Sequence, residues 1–247
     1  MEPRGPVVVD AGGLVVAGGG HVRRGRAFRV SGALVRPDDL DAVARLGLQA
    51  LVDLRGGRED RSLLERWADG AGVRYVWLPI DVAGAHDVAR VVDGVRTASE
   101  AAAVLSALYE RILDDHGAQL VGALRVIASG SPVAFGCAAG KDRTGLVAAL
   151  LHVLLGVPED VVAASFASSP PSVERLRPLV AHYVDTDTAR APAFDILLGA
   201  EARTIHAALA HLDRRHGGIH AYVGRHGLSD ADIERLRADL VAVGPAP

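Results

Sequence analysis

A chain of 247 residues with 49% hydrophobic content can bury a substantial core and fits one α/β domain with insertions, read here as residues 1–247. Its net charge of −3 gives no footprint for nucleic acid and no basic run to hold an anionic membrane, so a small soluble substrate or partner fits better. A single cysteine excludes an internal disulfide, and the opening MEPRGPVVVDAGG lacks a basic segment leading into an unbroken apolar stretch; the expected compartment is cytoplasmic, with secretion without a classical signal left open.

The amino-terminal stretch VVVDAGGLVVAGGGHVRRGRAFRVSGAL alternates short apolar runs with glycine clusters, which predicts strands joined by tight turns. Pro37 and the pair Asp38-Asp39 open a helix that Gly47 closes. Ala50 to Leu54 is a short apolar run ending in Asp53, Leu54 and Arg55, the pattern of a central strand that delivers polar residues at its carboxyl end. Ligands of open α/β sheets bind at those ends. A helix over about Arg58 to Ala68 and a strand from Val73 to Leu78 complete a β-α-β rhythm, which predicts a parallel sheet flanked by helices. The pattern loosens from Asp81 to Ala98 and turns helical from Ser99 to Ala128, with a break at Asp115-His116-Gly117. A lid or insertion is expected somewhere within 81–117.

Ser131-Pro132 then starts a strand, Val133 to Phe135, that runs into Cys137-Ala138-Ala139-Gly140-Lys141-Asp142-Arg143 and a helix from Thr144 to Leu155, capped by Gly156. The apolar run from Leu146 to Leu155 is too short to cross a bilayer and contains His152, so it reads as a buried helix. Helical segments follow, the last begun by Ser229 as N-cap. No internal repeat or low-complexity region is present.

The loop concentrates chemistry. The chain has 27 basic residues, and all are arginine except Lys141, four positions from the only cysteine. Backbone N–H groups from Ala138 to Gly145, at the start of a helix, suit a phosphate dianion. Small residues at Ala138, Ala139, Gly140 and Gly145 let the backbone close around it. Arg143 can grip two phosphate oxygens through its planar fork. The same positive field favours a Cys137 thiolate able to attack phosphorus. Asp142 is the nearest carboxylate in sequence to protonate the leaving oxygen. Lys141 either orients Asp142 or contacts substrate, and Thr144 bonds the sulfur or a loop carbonyl.

Competing motifs fit less well. Three residues separate Gly136 from Gly140 where a nucleotide P-loop has four, and Asp142 stands where serine or threonine would hold magnesium. The ten histidines include no His-Glu-x-x-His, and His206, His211 and His216 recur every five residues, a spacing that spreads them around an α-helix; no metal site is expected. Trp67 and Trp77 read as core residues, the Arg58 to Asp60 carboxylates as a solvated helix start, and Tyr109 as a residue that either faces the loop or does not.

CAAGKDRTG resembles the signature loop of protein tyrosine phosphatases, in the bacterial branch whose loop carries lysine, aspartate and arginine in succession. VDAGGLVVAGGGHVRRGRAFRVSGAL resembles that branch's opening, LVDLRGGRED its aspartate-leucine-arginine strand end, and GGIHAYVGRHGLSDADIERLR its closing helices. The resemblance implies a parallel sheet flanked by helices, often with a helical lid, and activity on phosphotyrosine, phosphoserine/threonine or phosphoinositides without a cofactor. It implies Cys137 as nucleophile, Arg143 as phosphate clamp, Asp142 as acid, Lys141 as substrate contact, and Asp53 and Arg55 as supporting residues near the loop.

Three departures from the family pattern stand out. Gly136 replaces a histidine, Val7 and Val9 replace an asparagine and an arginine before Asp10, and SFASSPPS replaces a segment with aspartate and tyrosine. They keep two alternatives open: a phosphatase of a small phosphorylated metabolite, such as a nucleotide or sugar phosphate, and a phosphate-binding pseudo-phosphatase.

Overall fold

A computed structural model describes residues 7–82, 95–130, 132–168, 176, 195 and 197–244. Its main sheet contains β1 (Val8–Asp10), β3 (Ala27–Ser31), β4 (Ala50–Asp53), β5 (Arg74–Trp77) and β6 (Val133–Cys137), in the order β1-β3-β6-β4-β5. The last four run parallel, as the β-α-β rhythm predicts, while β1 closes one edge antiparallel to β3. Every residue of β3, β4 and β6 is buried, which is why these strands read as apolar runs apart from Arg29 and the terminal Ser31 and Asp53.

Successive residues feed opposite cores. Leu51 and Ala134 point into a smaller cluster with Phe28, Val30, Val43, Leu64 and Ala68, beneath α1 (Leu40–Ala44) and α2 (Ser62–Gly70). Val52, Val133 and Phe135 point into a larger one. That larger core is filled by α3 (Ala98–Asp115), α4 (Gly117–Ala128), α5 (Asp142–Leu154), α6 (Glu159–Ala167), α7 (Ala202–His211), α8 (Ile219–Arg225) and α9 (Asp230–Leu240). The sequence of α5 is apolar on all sides and the helix is buried from Arg143 to His152, as a central helix must be. A two-stranded ribbon of β2 (His21–Val22) with β7 (Val241–Ala242) ties the two ends of the chain together.

Helix boundaries follow local chemistry. Thr97 and Glu100 form a capping box at the start of α3, and Ser229 with Asp232 does the same for α9. The break at His116 falls where expected, and Gly117 leaves room there for the His226 ring, whose Nε2 a Cβ would approach to 2.2 Å. The start of α2 differs from the sequence reading. The helix expected from Arg58 begins at Ser62, because Asp60 Oδ1 takes the Ser62 N–H at 2.9 Å and turns the preceding residues into a loop. The chain also leaves α7 through a π-helical turn, Leu212–His216, ended by Gly217 at φ +76°.

Of the 81–117 segment expected to hold a lid or insertion, residues 83–94 lie outside the described residues. The part from Ala98 onward is α3, with Leu105, Tyr109, Ile112 and Leu113 buried. Among the described residues, no helix is long and apolar enough to cross a membrane.

Candidate active site

The middle strand β6 carries Cys137 to the carboxyl end of the sheet, and α5 starts five residues later at Asp142. Strand pairing fixes the loop's base: Cys137 lies beside Ser31, and Leu54 N–H donates to the Gly136 carbonyl at 2.8 Å. Gly140 has φ +67°, and a Cβ there would come within 2.5 Å of Ser31 Oγ; only glycine makes this bend at this closeness. Cys137 is 2% exposed. Of the two partners open to Thr144 it takes the sulfur, its hydroxyl donating to Sγ at 3.2 Å.

Arg143 is buried and does not point to solvent. Its Nη1 donates to Glu59 Oε2 at 2.5 Å and its Nη2 to Glu59 Oε1 at 2.9 Å. The Ile80 carbonyl accepts from Nη1 at 3.2 Å. Burial alone would lower the guanidinium's pKa; the negative charges at Cys137 and Glu59 outweigh it and hold the group above its ordinary value. Glu59 is therefore not the solvated helix-start carboxylate that the sequence suggested. The Arg55 to Arg61 loop folds it inward, and Gly56 N–H donates to Glu59 Oε2 at 2.6 Å.

Asp142 Oδ1 accepts from Lys141 Nζ at 2.6 Å and from Tyr109 Oη at 2.5 Å. Lys141 also donates to the Leu197 carbonyl at 3.2 Å, and its contact with Asp142 fits the orienting role. Tyr109 faces the loop. Burial, then the Asp142 charge, raises its pKa well above the ordinary tyrosine value, which keeps it a neutral donor. The Lys141 side chain is 5% exposed and that of Asp142 25%, so the carboxylate is the member of this cluster that reaches solvent.

Asp53 and Arg55 pair beside the loop. Arg55 Nε and Nη2 donate to Asp53 Oδ2 at 3.1 and 2.6 Å, and Tyr75 Oη donates to the same oxygen at 2.7 Å. Burial opposes the Arg55 charge, but the Asp53 contacts raise its pKa. Gly32 separates this pair from the loop: a Cβ there would lie 3.1 Å from the Cys137 carbonyl oxygen and 3.2 Å from Arg55 Cζ.

Two features escaped the sequence reading. Arg29 on β3 is buried, and its Nη2 donates to the Gly140 carbonyl at 3.0 Å, bracing the loop from below. Burial lowers its pKa to about 10, against the pull of Cys137, so it stays charged at neutral pH. An arginine within the otherwise apolar run AFRVS was its signal. Trp77, expected in the core, is 41% exposed at the strand end; its Nε1 donates to the Arg55 carbonyl at 2.7 Å, and Arg61 stacks on its ring with Cζ 3.8 Å from the centroid.

A thiol at a strand end, an arginine on the following helix anchored by a carboxylate from a neighbouring loop, and a second carboxylate open to solvent together define a cysteine-based phosphatase site. Comparison with known proteins agrees. The profile of the tyrosine phosphatase family matches residues 8–242, and the chain belongs to that family; it is a phosphatase, acting on phosphorylated substrates. It is 32% identical over 255 residues to the triple specificity protein phosphatase PtpB of Mycobacterium tuberculosis, covering 89% of this chain and 92% of that one. It is 28% identical over 259 residues to a tyrosine-protein phosphatase of Nostoc commune, covering 97% of this chain and 86% of the relative.

Proposed function

We propose that this phosphatase hydrolyses phosphate monoesters through a phosphocysteine on Cys137, with the backbone from Ala138 to Thr144 as the phosphate cradle; the Gly145 N–H, expected to belong to it, donates to the Lys141 carbonyl at 2.6 Å instead. The thiolate attacks phosphorus as the ester P–O bond breaks, and Asp142 gives its proton to the departing oxygen. Water then attacks phosphorus, Asp142 takes its proton, and the S–P bond breaks to release phosphate. Arg143 holds the equatorial oxygens as charge spreads over them. Thr144 supports the sulfur as leaving group in the second step. Lys141 and Tyr109 position Asp142, while Arg29, Asp53 and Arg55 position the loop.

The observation that carries this reading is the hydrogen bond from Thr144 to Cys137 Sγ at 3.2 Å, in a buried loop that also holds the Arg143 guanidinium. The family match over residues 8–242 supports one phosphatase domain spanning residues 1–247. The substrates proposed are phosphotyrosine or phosphoserine proteins and phosphoinositide-like headgroups, a range consistent with the triple specificity named for the mycobacterial relative. A cytoplasmic location rests on the single cysteine.

Cys137→Ser tests the mechanism: turnover of an aryl phosphate should vanish while inorganic phosphate still binds. Retained turnover would defeat the phosphocysteine route. A panel of phosphopeptides, phosphoinositides and nucleotide or sugar phosphates tests the substrate class; a preference of orders of magnitude for the last would favour the metabolite reading.

A further inference from the structure

His211 and His216 are five residues apart, which on a helix of 3.6 residues per turn sets them about 140° apart. The structure brings them together instead, and the cause is local. The π-helical turn Leu212–His216 widens the helix, and a turn bonded from i to i+5 stacks residues five apart on one face. Both rings then point at α3: His211 Nε2 lies 2.9 Å and His216 Nε2 2.7 Å from the same oxygen, Asp114 Oδ1. His206, on the regular part of α7, is not in this cluster.

We propose that Asp114, His211 and His216 form a binding site for one divalent transition-metal ion of borderline softness, best matched by zinc, that staples α3 to the turn after α7. One ligand atom from each residue lies within 4.8 Å of the others. A tetrahedral zinc with bonds of about 2.0–2.1 Å places its ligand atoms about 3.3 Å apart, so the two contacts need open by only about half an ångström. Two imidazoles and one carboxylate are a donor set for zinc and its neighbours in the first transition row, and a poor one for magnesium or calcium. The fourth position opens to water, because the Asp114 side chain is 38% exposed.

The surroundings hold the ligands in place. Glu110, one turn before Asp114, has Oε1 3.8 Å from His211 Nδ1, longer than a hydrogen bond but on the far side of the ring, where a carboxylate can orient a metal-bound imidazole after a small shift. The Tyr222 ring meets His216 edge-on at 5.0 Å. The Tyr222 hydroxyl donates to the Leu113 carbonyl at 2.8 Å, pinning the residue before Asp114. The two histidine side chains are each 13% exposed, so their orientation is set by packing. The staple lies five residues, or about 7.5 Å, along α3 from Tyr109, which the helix carries to Asp142; its role is structural.

The test uses the full chain with Cys137→Ser, treated with chelator and then dialysed, so that no thiolate competes for the ion. Zinc chloride titrated into it calorimetrically should bind one equivalent and raise the melting midpoint by about 3 °C or more at saturation. The double variant His211→Ala/His216→Ala should lose that equivalent, and His206→Ala should keep it. Should the double variant unfold, Asp114→Asn, which retains an acceptor for both rings, should weaken zinc binding at least tenfold. Cobalt should give the visible absorption of a four-coordinate site. Absence of a one-equivalent transition, or zinc affinity unchanged by both the histidine and the Asp114 variants, would overturn the proposal.

Discussion

Glu59 grips the Arg143 guanidinium with both carboxylate oxygens, at 2.5 and 2.9 Å. The pair joins a loop after β4 to the start of α5, so the phosphate clamp is oriented from the opposite side of the site before any substrate arrives. Glu59 is 29% exposed, which limits its worth as a stability contact, and its value lies in aiming the fork. Glu59→Gln should lower kcat/KM on an aryl phosphate about tenfold, roughly 1.4 kcal/mol of transition-state binding, with little change in melting temperature. Steady-state kinetics decides this, and an unchanged kcat/KM would reduce Glu59 to a bystander.

Asp142 is held by Lys141 and Tyr109 on one oxygen, which leaves its other oxygen for the leaving group. If it protonates that group, the need for it grows as the departing alcohol becomes a poorer leaving group. Asp142→Asn should therefore cost about 10²-fold or more on phenyl phosphate and much less on p-nitrophenyl phosphate. Tyr109→Phe should follow the same pattern more weakly, by about fivefold on the poorer substrate. An equal loss on both substrates would move Asp142 from proton transfer to simple loop support.

Much of this site could be read in the chain because its residues sit on one contiguous segment. Strand, loop and helix from Val133 to Leu154 supply Cys137, Lys141, Asp142, Arg143 and Thr144 together, and a short-range pattern of apolar runs and small residues marks the junctions. Glu59 and Arg29 were hidden for the opposite reason. Each reaches the loop only through sheet order, since β3 and β4 flank β6, and a carboxylate in REDRS looks the same whether it meets water or an arginine 84 positions on. The convergence of His211 and His216 was hidden by a local irregularity: periodicity arguments assume 3.6 residues per turn, and a π-helical turn breaks that assumption without a sequence mark.

Gly136 stands where the resemblance described above would put a histidine, and the structure gives the glycine a steric reason. A Cβ at this position would lie 2.3 Å from the Val30 carbonyl oxygen, an atom of the paired strand β3 that cannot move without breaking the ladder. Gly136→Ala should thus destabilise the protein by about 3 kcal/mol, and Gly136→His at least as much, without any gain in activity. Denaturant unfolding alongside kinetics checks both. A stable, faster Gly136→His variant would mean that β3 yields and that the missing histidine is a functional loss.

His152 provides a pH signature independent of catalysis. The ring is enclosed within α5, with Nε2 2.9 Å from the Ala11 carbonyl oxygen, and so donates its proton there as the neutral tautomer. Burial lowers its pKa to about 4; the Ala11 bond opposes this in part, and the Arg29 charge adds to it. In the unfolded chain the ring titrates near its ordinary value of about 6.5. Between these values the unfolded state binds the extra proton, so stability rises with pH across this window. The contribution is complete above about pH 6.5 and is lost as pH falls toward 4, amounting to about 3 kcal/mol at most. His152→Gln offers an amide donor to Ala11 without the titration, so the stability gap between wild type and variant should narrow or reverse from pH 7 to pH 4.5. Unfolding curves that fall in parallel over that range would show that His152 takes up no proton on unfolding there.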